Sequence, residues 1–239
     1  MMDISSSISR FTAYYRRHGL GATIRRASLA LKRALFSSRM VLFYCDLDKQ
    51  TTAPVNVPGS LSVERLRSYV ELGQQDLQEV TSFWNPEQAH QNIRERFQHG
   101  ASLWLVKSGG KLAGYGWTLE GGTMKPHYFP LAQDDVHLFD FHVFAEYRGR
   151  GINPFLVTHI LRSMAGECGG RAFIEAREWN EAQLSSLRKT AFRCMGWARK
   201  SAIFHRTFVC WTRNDAVARA EKVTQRSDRA SNIVRSQGR

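Results

Sequence analysis

The sequence predicts an α/β chain of the α+β kind, one folded body in which helices flank a central sheet, and three observations carry that prediction. Apolar runs of strand length alternate with periodic segments of helix length from Met40 to Trp211. Hydrophobic residues make up 43% of the 239, enough to bury one good core with little room for a second. A glycine-rich turn, Arg148-Gly149-Arg150-Gly151-Ile152-Asn153, joins the apolar run Val136 to Phe144 to the helix-like stretch Pro154 to Met164.

Taken in order, residues 1–39 read as a basic helical extension. Leu20, Ile24, Ala27, Leu31 and Leu35 fall on one side of a 3.6-residue helix, and Arg25, Arg26, Lys32 and Arg33 on the other. Two readings stand: residues 8–39 make a weak contact with an anionic membrane surface, or the apolar stripe packs on the folded body and the charges face water. Met40 to Cys45 and Leu61 to Leu66 read as strands, separated by the loop Thr51 to Gly59 with its two prolines. Leu72 to Phe83 and Gln88 to Phe97 read as helices, with Asn85-Pro86 as the break. Ser102 to Lys107 and Leu112 to Leu119, joined around Gly109-Gly110, form a hairpin pattern. Gly121 to Asp135 is a long irregular stretch of the kind that often carries function. Trp197 to Phe204 and Thr207 to Trp211 suggest a closing antiparallel pair, and residues 212–239 a polar, basic, disordered tail. The folded domain is therefore placed at residues 40–211.

The net charge of +13 sits at the ends. Residues 1–40 hold eight Arg/Lys against Asp3 alone, and residues 212–239 hold seven against three acids, while residues 41–211 net only +2. The body gains no support for a nucleic-acid role. No apolar run approaches the ~20 residues that span a bilayer, and no signal-peptide pattern follows Met1. Cys45, Cys168, Cys194 and Cys210 show no C-x-x-C spacing and no accompanying histidine pair, so neither a zinc site nor a disulfide framework is indicated. A reducing cytoplasm suits them, with peripheral contact at the inner membrane surface as the extension's alternative.

The glycine-rich turn has the form of a phosphate cradle. Gly149 and Gly151 let the main chain approach an anion closely, the helix N-terminus adds a favourable dipole, and Arg148 and Arg150 add positive charge. Glu175 follows in the apolar run Ala172 to Ala176, and five residues later Asn180 opens a helix-like segment ending at Ala191-Phe192. In Phe141-His142-Val143 through Asn153, and in Asn180, Gln183, Leu187, Ala191 and Phe192, the chain resembles the GNAT acetyltransferase superfamily over about residues 60–210. Asn153 replaces the last small residue of the cradle and can cap the helix there. Ala191 replaces glycine, and Leu187 replaces the tyrosine with which many members protonate the departing thiolate. A leucine cannot donate that proton. A neighbouring group or water supplies it, or the thiolate needs little help because its unperturbed pKa is near ~8.5; the second reading is preferred.

The resemblance implies a GNAT-type mixed, mostly antiparallel central sheet flanked by helices, and acetyl-coenzyme A as cosubstrate, with no metal. Its diphosphate would be held by Arg148, Gly149, Arg150, Gly151, Ile152 and Asn153, its pantetheine arm by the main chain of Phe141, His142 and Val143, and Asn180 would bond the arm from the other side as well as cap its own helix. The implied reaction is acetyl transfer to a primary amine, whether small amine, aminosugar or protein amino group. Such an amine has an unperturbed pKa near ~10.4, so a base is needed. Glu175 is the first candidate, with Asp140 and His142 as rivals on one strand face; a solvated carboxylate or a partner of Arg177 is the structural alternative for Glu175. Phe83-Trp84-Asn85 and Met124 to Asp135 are the expected acceptor surface, with Asp134 and Asp135 suited to a cation. The alternative function is an inactive acyl-coenzyme A-binding adaptor working through its basic N-terminal helix.

Overall fold

The computed structural model describes residues 39–50, 61–82, 86–203 and 206–213. The N-terminal helix (save Arg39), the Thr51 to Gly59 loop, Phe83-Trp84-Asn85 and the tail beyond Arg213 lie outside the described residues. Eight strands form one sheet: β1 (Arg39–Asp46), β2 (Leu61–Leu66), β3 (Ser102–Ser108), β4 (Lys111–Glu120), β5 (Val136–Val143), β6 (Arg171–Arg177), β7 (Arg193–Ile203) and β8 (Arg206–Arg213). The helices among the described residues are α1 (Gln74–Thr81), α2 (Pro86–Gln98), α3 (Ile152–Glu167) and α4 (Glu181–Leu187), besides two 3-10 turns.

The spatial order is β2-β3-β4-β5-β6-β1-β7-β8, antiparallel throughout except for the parallel pair β5 and β6. Gly109 and Gly110, both at positive φ (57° and 81°), make the two-residue turn of the β3–β4 hairpin. β1 lies inside the sheet between β6 and β7. Its run Val41 to Cys45 is buried at every position, as a strand covered on both faces requires.

Alternation along β3 shows how the two faces are filled. Trp104 and Val106 join α3 residues Leu156, Val157, Ile160 and Met164 in the core on one side. Leu103 and Leu105 join Val80 of α1 and Ile93 of α2 on the other. Each such side chain fully removed from water contributes roughly 1.5–3 kcal/mol, which is what anchors the helices to their faces.

The strand that positions the site is irregular. Trp117 of β4 faces Phe139 and Tyr115 faces His142, so Gly116 alone stands opposite Asp140 and Phe141. Asp140 carries the extra residue of this bulge at φ 52°, in the left-handed region. Parallel pairing of β5 with β6 ends at Leu138 and Ile174, and beyond that point the strands diverge. The approach of β4 to the bulge demands glycine: a Cβ on Gly114 would stand 2.6 Å from the His142 carbonyl oxygen. Gly114→Ala is expected to lower stability by about 1–3 kcal/mol, read as a fall in thermal midpoint, because only main-chain movement relieves the clash.

Candidate active site

The divergence of β5 from β6 creates a groove of about 510 Å³. Phe141, His142 and Val143 form its β5 wall, Arg148 and Gly149 its turn, Gly151, Ile152 and Asn153 the start of α3, and Asn180 and Gln183 of the α4 region the opposite wall. Past Leu138, β5 offers main-chain groups that β6 does not pair, an edge open to an extended ligand. Gln183 Nε2 reaches the Glu175 carbonyl at 3.4 Å and so serves one β6 group freed by the divergence.

Gly149 and Gly151 both sit at φ 77°, which favours glycine, and a Cβ on either would meet nothing within 4 Å. The turn is open where an anion would lie. α3 begins directly after Gly151, which is its N-cap, so the helix dipole and its unpaired N–H groups end in the groove. Asn153 therefore does not cap α3, contrary to expectation: it lies within the first turn, where its Nδ2 donates to Ser186 Oγ at 2.9 Å and ties α3 to α4. Arg148 Nε donates to the Val143 carbonyl at 3.1 Å, holding the turn against β5. Arg150 turns over the Tyr147 ring, 5.8 Å from its centre, and does not line the groove. Asn180 caps α4, its Oδ1 accepting from the Gln183 N–H at 3.3 Å, and also lines the groove. Tyr147, Ser186 and Lys189 also line it and carry no motif by which sequence could have marked them. Leu187 is fully buried in the α3-side core, so the residue at the usual tyrosine position packs and does nothing else.

The three base candidates all reach the face covered by α1, α2 and the Gly121 to Asp135 loop, but in different company. Asp140 accepts from Arg96 of α2 at 2.5 Å, and the same guanidinium lies over Trp117 and Phe139, so this carboxylate is already neutralised. His142 stacks on Tyr115 with ring centres 5.6 Å apart, and burial followed by the positive charge of Arg148 holds it below the ordinary histidine value. The bulge also sends His137 and Phe139 to this face, which strict alternation from Asp140 would forbid.

Glu175 stands one residue beyond the last β6 residue paired with β5. It is neither solvated nor joined to Arg177. His137 Nε2 lies 2.8 Å from its Oε2, and the pair is largely buried. Burial by itself raises the carboxyl, but the hydrogen bond from His137, its largest lowering influence, with the electrostatic help of its surroundings outweighs burial and holds Glu175 below the usual glutamate range. A hollow of about 60 Å³ between α1, α2 and β4, lined by Ile93, Arg96, Trp117 and Asp140, opens on this face. Asp135 is no part of an acceptor surface: its carboxylate accepts from the N–H groups of Ala132 and Arg171 at 2.8 and 2.9 Å and holds the loop in shape.

Two features lay beyond sequence reasoning. His127, ten residues before His137 across an irregular loop, joins His137 and Glu175 in a cluster where the sequence indicates no metal site. The cysteines are the second: burial pushes the thiols of Cys45 and Cys168 up to about 11, which removes them as nucleophiles near neutrality. Iodoacetamide on the native protein at neutral pH is expected to modify exposed Cys210 and spare Cys45, read by peptide mass mapping.

The sequence model of the acetyltransferase (GNAT) family matches residues 68–192, just over half of the chain. The chain belongs to the GNAT acetyltransferase family. Among solved structures, a GNAT-family protein from Novosphingobium aromaticivorans aligns at 17% identity over 67% of this chain and 61% of its own, with a TM-score of 0.46. A GNAT acetyltransferase from Colwellia psychrerythraea aligns at 13% identity over 74% and 56%, TM-score 0.49. The IAA acetyltransferase of Bacillus cereus aligns at 18% identity over 54% and 75%, TM-score 0.40. The chain thus spans about three fifths of the first two. No curated protein matches it. The family implies an acyl-coenzyme A cosubstrate, and the open glycine turn, helix N-terminus and unpaired β5 edge fit one. No described helix is long and apolar enough to cross a membrane.

Proposed function

We propose that this GNAT protein is an N-acetyltransferase that moves an acetyl group from acetyl-coenzyme A to a primary amine, with Glu175 as the base. One observation carries the reading: a largely buried carboxylate, oriented by His137, stands one residue past the point where β6 leaves β5, on the sheet face that also carries the α1/α2 hollow. When bound, the cosubstrate supplies an acetyl thioester. Gly149 to Asn153 would take its diphosphate, with Arg148 as the nearby positive charge, and the main chain of Phe141 to Val143 would bond its arm, with Asn180 facing it across the groove.

Transfer forms one N–C bond and breaks one C–S bond, and the nitrogen must lose a proton as its electron pair is used. Glu175 is ionised near neutrality, so it is ready to accept that proton; His137, a positioning residue, keeps the carboxylate aimed and tolerates its change of charge. Arg96 and Asp140 shape the acceptor hollow rather than move the proton. The sulfur leaves as a thiolate, for which an ordinary thiol pKa of ~8.5 is sufficient. Buried Cys45 and half-buried Cys168, both with raised thiol pKa, support direct transfer over an acyl-cysteine route.

The test is thiol release from acetyl-coenzyme A across a panel of polyamines, aminosugars and peptide amines. Amine-dependent release at several times background is expected with at least one member. Binding of acetyl-coenzyme A without release for any amine would favour the adaptor reading, which the buried Leu187 suits.

A further inference from the structure

Ring nitrogens of His127 and His137 and a carboxylate oxygen of Glu175 all lie within 4.8 Å of one another. They come from the loop before β5, from β5 and from β6. His127 Nε2 and His137 Nδ1 are buried and have no hydrogen-bond partner among the described residues. Each is an anomaly, since buried polar atoms are nearly always satisfied, and His137 meets Glu175 through its other nitrogen, Nε2. The Glu175–His137 bond accounts for neither of them.

The loop that presents His127 is fastened. Lys200 of β7 donates to the Pro126 carbonyl and sits 4.0 Å from the centre of the Tyr128 ring, and His127 packs edge-on to Phe129 with ring centres 4.8 Å apart. His137 stacks on Phe139. Both imidazoles are thus held before any ligand arrives. Two imidazoles and one carboxylate suit zinc and its first-row neighbours, whereas calcium and magnesium prefer oxygen throughout. Bonds of about 2.0–2.2 Å place tetrahedral ligands within reach after small side-chain rotations, with a fourth position left for water. Lys200 is the opposing charge; its attraction to Glu175 is the interaction that a dication would replace.

We propose that His127, His137 and Glu175 form a binding site for a zinc-class divalent cation, and that occupancy withholds Glu175 from the acceptor amine and silences acetyl transfer. The second half rests on Glu175 being the base. His127, which has no part in transfer, is the residue that separates the two ideas.

The full chain, freed of metal with a chelator, is titrated with Co2+ and followed by the visible absorption of the bound ion, then challenged with Zn2+. One Co2+ per chain, displaced by Zn2+, is expected, and His127→Gln should weaken binding by about 100-fold or more, since loss of a ligand exceeds loss of a supporting hydrogen bond. Absent absorption, or binding unchanged in His127→Gln, overturns the site. Should that variant not fold, zinc protection of His127 from diethyl pyrocarbonate in the unaltered chain decides: protection supports the site and equal modification overturns it. In the activity arm, Zn2+ should reduce amine-dependent thiol release at least tenfold in the unaltered chain and leave His127→Gln unaffected. Zinc bound at the cluster with turnover unchanged overturns the silencing and with it the role of Glu175, while the site stands. No binding with Glu175-dependent turnover intact overturns the site and leaves the transfer reading whole.

Discussion

Gly151→Glu is expected to abolish acetyl-coenzyme A binding, with no measurable heat on titration and an affinity at least about 100-fold below that of the unaltered chain. The effect has three physical parts. The backbone at Gly151 sits at φ 77°, where a side chain costs roughly 1–2 kcal/mol. The new side chain has nothing within 4 Å of its Cβ and would extend into the open groove that Gly151 lines, where the proposed reading seats the diphosphate. Its carboxylate would take the place of the phosphate at the N-terminus of α3, answering the helix dipole and the charge of Arg148. The fold should survive for that last reason: the substitution supplies the helix with an anion of its own. Gly151→Ala carries the backbone cost without the competing charge and should weaken binding far less. Equal affinities for the glutamate variant and the unaltered chain would remove the turn from the cofactor site.

Glu175→Gln is expected to lower kcat at least tenfold, and by as much as about 10²–10⁴-fold, with acetyl-coenzyme A affinity unchanged. The amide keeps the volume of the carboxylate, and its oxygen can still accept from His137 Nε2 across the 2.8 Å contact, so orientation is retained and only the capacity to take a proton is lost. Because the carboxyl is held below the ordinary glutamate value, it is ionised at all pH values near neutrality, and the acid limb of the kcat profile should fall below the usual glutamate range. In the glutamine variant that limb should vanish. A merely structural role would lower the thermal midpoint and leave the shape of the profile alone; unaltered kcat would sink the assignment.

The comparison of Asp140 with Glu175 shows where sequence reasoning stops. Both are strand carboxylates near the expected transfer point, and spacing alone ranks them poorly. Asp140 is neutralised by Arg96, 44 positions away on α2, and Glu175 is oriented by His137, 38 positions away on β5. These partnerships follow from strand register and helix docking, which depend on the whole packed core. Asp135 fails as an acceptor residue for the same reason, its carboxylate being used by the Ala132 and Arg171 main chain.

What the amino-acid order determined by itself is the local part. The glycines that permit positive φ, the turn between strand and helix, the Asn180 cap and the apolar strand run of β1 are each written in a few adjacent residues, because φ/ψ preference and hydrophobic period act over that range. The tertiary structure alone decided the bulge at Asp140, the point at which β5 leaves β6, the place of β1 between β6 and β7, and the meeting of His127, His137 and Glu175. Each depends on which strands lie side by side and in what register, and the packing of both sheet faces sets that register, since a one-residue slip would turn every buried side chain toward the opposite layer.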